Sequence, residues 1–212
     1  MLLRPLKTKK LNDKIYAAKT GVSNFYIYDG GDCLIAFDTG TGAAPACREL
    51  RSLGIDPDDV KYVFLTHSDY DHAGGLNLFK NAAVYISEQE VPLISGQKAR
   101  LLGFIRNTAA EGCIMMKDAQ TVQAGDCTVK IIHTPGHTPG SSCFLAGDGA
   151  LFCGDALRLT SKGRIVPFLF PLNMNHEESR KSLNMLEDTG VLSRAEIILT
   201  AHTGILEKQS GS

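Results

Sequence analysis

The stretch Thr66-His67-Ser68-Asp69-Tyr70-Asp71-His72-Ala73-Gly74-Gly75 places two histidines and two aspartates within six residues and ends on a glycine pair. Imidazole nitrogens and carboxylate oxygens at this density suit zinc, iron or manganese. Packing alone does not explain four such side chains in one short segment. Three more ligand-type residues stand in similar surroundings. His137 lies in Thr134-Pro135-Gly136-His137-Thr138-Pro139-Gly140-Ser141, Asp155 follows Gly154 after the apolar Leu151-Phe152-Cys153, and His202 follows Thr200-Ala201. Each falls at the end of a strand-like segment or beside glycine, where loops let side chains converge without competing for core space. The pattern predicts one shared metal centre.

The elements that must deliver these residues alternate between strands and helices. Strands are predicted over 15–19, 24–28 and 34–37, with Gly30-Gly31-Asp32 as a hairpin turn. Asp38-Thr39-Gly40-Thr41-Gly42 turns the chain into a helix over 44–53, whose Ala46, Leu50 and Leu53 follow helical spacing. Gly54 and Pro57 stop it. A short apolar strand over 60–65 leads directly to His67. Beyond Gly75 come a helical stretch over 76–79, a strand over 83–86, and a helix opened by Ser87. Glu90, three residues on, makes Ser87 the start of a capping box. Leu101, Leu102, Phe104 and Ile105 suggest a helix over a pocket that Met115 and Met116 could border, with ordinary core packing as the plainer alternative. Further strands are expected over 128–132, 142–145, 150–153 and 196–199. A loop is expected over 157–175 and a helix over 177–186. This order favours an α/β class with layered sheets.

At 212 residues the chain is long enough for a sizeable core, and residues 1–212 are read as one domain. A net charge of -1 with only Lys7, Lys9 and Lys10 clustered argues against nucleic acid as a partner. Apolar runs fall short of the roughly 18 residues of a membrane helix, and the first residues lack an apolar signal core. A cytoplasmic protein without a membrane partner is therefore expected, acting on a small-molecule substrate and leaving a homo-oligomer open. The six cysteines are scattered without a CxxC pair, so they read as thiols. Thr39-Gly40-Thr41-Gly42 lacks the Gly-Lys-Ser/Thr of a phosphate loop. There is no Gly-x-Ser-x-Gly elbow to present a serine nucleophile.

Taken in order, these positions resemble the metallo-β-lactamase fold superfamily, whose first motif is His-x-His-x-Asp-His. A Pro-Gly-His-Thr-x-Gly turn, a Gly-Asp after a strand and a final His follow it. The matches here are His67, Asp71 and His72, then His137, Asp155 and His202, and they span nearly the whole chain. The resemblance implies a four-layer αβ/βα sandwich of two mixed β-sheets with outer helices. It implies two divalent metal ions at one end, zinc first. His67, position 69 and His137 would hold one; Asp71, His72 and His202 the other; Asp155 would bridge both. Asp38 matches an Asp-x-Gly turn that supports a metal-bound His from behind.

Asp69 departs from this pattern, since it stands where the family usually has its second His. Three carboxylates in place of two lower the summed charge of the centre by one unit and shift its preference towards iron or manganese. Asp is also shorter than His, which leaves open whether Asp69 reaches a metal. The resulting expectation is a metal-dependent hydrolase directing a metal-bound hydroxide at an ester, thioester, lactone or phosphoester, with Asp71 orienting it. The alternatives are a diiron protein reacting with oxygen or nitric oxide, and a non-enzymatic module that keeps the fold with a damaged or mononuclear site and binds a ligand or partner. Tyr70 could hydrogen-bond a substrate oxyanion or simply pack. Arg158, with Lys162 and Arg164, could anchor an anionic substrate or be a solvated loop charge. His133 and His176 read as structural.

Overall fold

The first sheet begins antiparallel and finishes parallel, and that change of sense decides where its loops end up. The computed structural model describes residues 3–100, 103, 105, 107, 112–147 and 149–208. Its seven-stranded sheet has the order β1 (Lys9–Lys10), β2 (Ile15–Thr20), β3 (Ser23–Asp29), β4 (Leu34–Phe37), β5 (Val60–Phe64), β6 (Ala83–Ser87), β7 (Ile114–Met116). Strands β1 to β4 pair antiparallel, and β4 to β7 pair parallel. The second sheet has the order β15 (Gly204–Glu207), β14 (Ile197–Thr200), β11 (Ala150–Phe152), β10 (Ser142–Ala146), β9 (Cys127–His133), β8 (Thr121–Ala124). It is antiparallel except for the β11–β14 pair. The helices are α1 (Ala43–Ser52), α2 (Tyr70–Ala73), α3 (Val91–Ile94), α4 (His176–Asp188) and α5 (Val191–Arg194).

Two-residue periodicity makes the layers. In β3, Tyr26 and Tyr28 join the core shared by both sheets, whereas Phe25 and Ile27 face α1. In β14, Ile197 and Leu199 point to the shared core and Ile198 to α4 and α5. Successive strand side chains must take opposite faces, so strands apolar on both faces can only lie between two other layers. The stacking is α1, first sheet, second sheet, α4. Phe37 of β4 and Phe152 of β11 stack across the sheets with ring centroids 3.7 Å apart. Burying each such ring contributes about 2–3 kcal/mol.

The elements that position the chemistry are strand ends. Strands β4 and β5 deliver Asp38 and His67; β11 and β14 deliver Asp155 and His202. Each pair runs parallel, so all four residues emerge at carboxyl ends, the side on which open α/β sheets bind ligands. The β9–β10 connection brings in His137.

Several expectations change. The stretch 157–175 is not one loop, because β12 (Leu157–Leu159) and β13 (Ile165–Pro167) form a hairpin and Phe170–Leu172 a 3-10 turn. Residues 76–79 shorten to the 3-10 turn Leu76–Leu78. The capping box at Ser87 is half-made: Ser87 accepts from the Gln89 N–H, but Glu90 turns inward instead of reaching back. Leu101, Leu102 and Phe104 lie outside the described residues. Met116 is a buried core residue of β7 and Met115 is exposed. All six cysteines are thiols. Among the described residues no helix is long and apolar enough to cross a membrane.

Candidate metal centre

Asp38 takes a left-handed backbone conformation (φ 62°) as it leaves β4, a strained choice for a residue other than glycine. This turns its carboxylate back across the end of β5. There it accepts from the Thr66 N–H at 2.8 Å, from the Thr66 hydroxyl, and from His72 Nδ1 at 2.8 Å. The following turn, α2, starts directly after Asp69, so Asp71 and His72 project from a helical turn whose backbone His67 does not share.

Each of the four imidazoles has Nδ1 tied to an acceptor. His72 donates to Asp38, His202 to the Val22 carbonyl at 2.7 Å, and His137 to Asn173 Oδ1 at 3.2 Å. His67 Nδ1 lies 3.0 Å from the Thr66 hydroxyl, whose proton goes to Asp38. In a neutral imidazole, an Nδ1–H that donates leaves the lone pair on Nε2. All four Nε2 atoms face three carboxylates. His67 Nε2 and His137 Nε2 lie 3.5 Å and 3.4 Å from Asp69 Oδ2. His72 Nε2 and His202 Nε2 lie 3.6 Å and 3.4 Å from Asp71 Oδ2. The two oxygens of Asp155 divide: Oδ1 faces His72 at 3.5 Å and His202 at 3.1 Å, and Oδ2 faces His137 at 3.4 Å.

These distances test whether a cation fits. Charge-assisted hydrogen bonds run near 2.8 Å, and His67 Nε2, His137 Nε2 and Asp155 Oδ1 make no hydrogen bond at all. Two atoms each about 2.1 Å from one tetrahedral ion are about 3.4 Å apart. The observed separations match that spacing. Electrostatics agree: burial opposes protonation of His72, yet Asp71, Asp155 and Asp38 outweigh it and push its pKa up to about 10. Burial likewise opposes ionisation of Asp155, but His202, His72 and His137 hold it below the usual carboxylate range. At His137 the balance runs the other way: burial, with His67 and Arg100, outweighs Asp155 and Asp69 and lowers its pKa, so the carboxylates favour positive charge at His72 and not uniformly. Among the described residues, three groups qualify as ligand sets: His67, Asp69 and His137; Asp71, His72 and His202; and His67, His72 and Asp155.

The family model for the metallo-beta-lactamase superfamily matches residues 18–202. The chain belongs to the metallo-β-lactamase superfamily. The fold expected from that resemblance is the one observed. A hydroxyacylglutathione hydrolase of Gloeobacter violaceus is 33% identical over 128 residues, covering 58% of this chain and 44% of its own. A probable metallo-hydrolase of Methanocaldococcus jannaschii is 30% identical over 163 residues, covering 76% and 66%. The crystal structure of a subclass B3 metallo-beta-lactamase of Bradyrhizobium japonicum superposes with a TM-score of 0.71 at 23% identity, covering 95% and 79%. The chain spans 39% to 49% of the length of three of the curated relatives it matches.

At the position where this superfamily usually carries His, Asp69 does reach the cluster. Its Oδ2 faces His67, His137 and Arg100 Nη2 (3.3 Å), while its Oδ1 accepts from Asn107 Nδ2 at 2.9 Å. Burial opposes ionisation here too, and His67, His137 and Arg100 reverse it, keeping the carboxylate below its usual range. Sequence reasoning missed three residues here. Arg100 is fully buried and donates to the carbonyls of His137 and Leu172, both at 2.7 Å. Asn107 also donates to the Ser68 hydroxyl. Glu90, also buried, accepts from Ser68 N–H and hydroxyl and from the Gly140 N–H, so it ties the opening loop to the His137 turn. Gly136 and Gly140 keep that turn close: a Cβ on Gly136 would collide with the backbone of Ser179 in α4, and one on Gly140 with Glu90. Only Glu90 had a signal, and its spacing from Ser87 pointed to capping instead.

A cavity of about 180 Å³ opens on the cluster, with Leu3, Val22, Ile105, Phe168 and Leu172 as its apolar wall. A larger one, about 400 Å³, lies between β9 and α4 and holds none of these ligand-type residues. Tyr70 and Arg158 do not line the smaller cavity. Tyr70 is 45% exposed and packs over Gly42 and Gly74, and Arg158 lies in the β12–β13 hairpin. His133 meets the Pro139 carbonyl at 2.8 Å, a structural contact. His176 contacts Asn173, the residue that holds His137.

Proposed function

We propose that the protein is a hydrolase of small molecules that works with two divalent cations. The observation that carries this reading is the set of four inward-facing Nε2 atoms spaced from three carboxylates at ligand–ligand distances. His67, Asp69 and His137 would hold one ion, and Asp71, His72 and His202 the other. Asp155, whose two oxygens face different groups of histidines, would bridge them. When bound, such ions lower the pKa of a coordinated water and polarise a carbonyl or phosphoryl oxygen. Zinc suits the imidazoles, and iron or manganese the carboxylate at position 69.

Asp71 lines the cavity and, at 29% side-chain exposure, is the least buried of the seven. It is the group best able to take a proton from an attacking water and return it to a leaving oxygen or sulfur. The apolar wall of Val22, Ile105, Phe168 and Leu172 would hold the acyl side of an ester, thioester or lactone and exclude water. The hydroxyacylglutathione hydrolase among the relatives supports a thioester within that range. Phosphoesters remain in the class because the same ions would polarise them.

Metal analysis of protein purified without added metal, combined with turnover on a matched ester, thioester, lactone and phosphoester panel, tests the reading. Asp71→Asn and His137→Ala should each abolish turnover while circular dichroism stays unchanged; full activity in either overturns the mechanism. A diiron redox protein is the second reading, favoured by the reach of Asp69 to both His67 and His137. It requires visible absorption that changes with dithionite.

A further inference from the structure

Arg100 is the residue the hydrolytic reading does not use. Its side chain is 1% exposed and lines the cavity of the metal centre. A guanidinium is always charged, and burying one costs several kcal/mol unless it is paired and hydrogen-bonded. Two of its acceptors are the backbone carbonyls of His137 and Leu172, and the carboxylate partner is Asp69 Oδ2. That oxygen is the same atom that faces His67 and His137.

Asp69 brings one negative charge more than an imidazole would at the same place, and Arg100 brings one positive charge. The two cancel within 3.3 Å. The ion pair also fixes rotation of the carboxylate, because Asn107 holds the other oxygen. A histidine at position 69 would have no such use for the guanidinium. It would set an imidazole, with no charge to offset it, against a buried cation.

We propose that Asp69 and Arg100 are a matched pair, in which Arg100 positions the carboxylate towards His67 and His137 and offsets its charge, so that neither residue works at the centre without the other. Arg100 is thus a positioning residue of the first half of the centre. The inference rests on the reading that this half holds a metal ion.

A double-mutant cycle on metal retention tests it. Wild type, Asp69→His, Arg100→Met and the double variant are loaded with zinc, desalted and assayed for bound zinc per chain, with circular dichroism as the check on folding. Arg100→Met alone should weaken retention of one of the two ions about tenfold to a hundredfold, the range for partners of ligating side chains. Asp69→His alone should lose that ion as well. The double variant should regain it, so that removing the arginine harms the native centre and helps the altered one. Arg100→Lys keeps the charge without the planar fork and should fall between wild type and Arg100→Met. If Arg100→Met lowers retention equally in both backgrounds, Arg100 is only a structural tie for the His137 and Leu172 carbonyls, and the pairing is overturned. If Arg100→Met does not fold, equal losses for Arg100→Lys in both backgrounds overturn it instead. A wild type that retains no zinc, iron or manganese defeats the reading of the centre itself, an outcome separate from the other two.

Discussion

His72 and His202 are braced by the sheets, whereas Asp69 and His137 are braced by side chains reaching in from irregular chain. Behind His72 stands Asp38, fixed at the end of β4 by the Thr66 N–H and hydroxyl. Behind His202 stands the Val22 carbonyl, in the turn between β2 and β3. Behind Asp69 and His137 stand Arg100, Asn107 and Asn173, none of them in a strand of either large sheet. Asp69, the departure from the superfamily's motif, lies in the half held by these side chains, and the second half keeps the motif.

The contrast can be broken most severely at Asp38. Asp38→Ala removes the acceptor of His72 Nδ1 and of two Thr66 donors at a site 3% exposed. A loss of about 3 kcal/mol in stability is expected from the stranded buried donors. Metal affinity of the second half should fall by roughly tenfold to a hundredfold, with a smaller loss in the first half through Thr66 and His67. Denaturant unfolding and zinc titration check both, and an unchanged midpoint would mean that the sheets do not brace this half.

Glu90→Gln should have a middling effect on the other half. One amide oxygen cannot serve the Ser68 and Gly140 donors together, and its NH₂ would face an N–H. About 2 kcal/mol of stability should be lost, and the first-half ion should leave before the second in a chelator titration. Loss of both ions together would erase the distinction between the halves. Asn107→Ala should be smallest: Asp69 Oδ1 loses one donor but Arg100 still holds Oδ2, so affinity should drop only a few-fold, about 1 kcal/mol. A larger drop would make Asn107, and not Arg100, the main brace of Asp69.

Much of the fold was legible because strand alternation and turn residues are local signals. β4 and the start of α1 could be read almost to the residue, since Phe37, Asp38 and the glycines after it leave few options. The short strands β7, β8 and β15 were not, because three or four residues carry too little periodicity to stand out. The β12–β13 hairpin was hidden in the same way. Glu90 was misread since a spacing of three from Ser87 fits a cap, and nothing local says that Ser68 and Gly140 would be nearer.

The sequence alone determined the ligand types, their order along the chain and the superfamily, because these rest on residue identity and spacing. It also marked Asp69 as the departure. Only the tertiary structure decided that Asp69 reaches His67 and His137 and that a guanidinium thirty-one residues later meets it. No local pattern couples positions 69 and 100; they meet only because the fold brings Arg100 to the Asp69 carboxylate. Charge balance in a buried site is a property of what converges there, and convergence belongs to the fold.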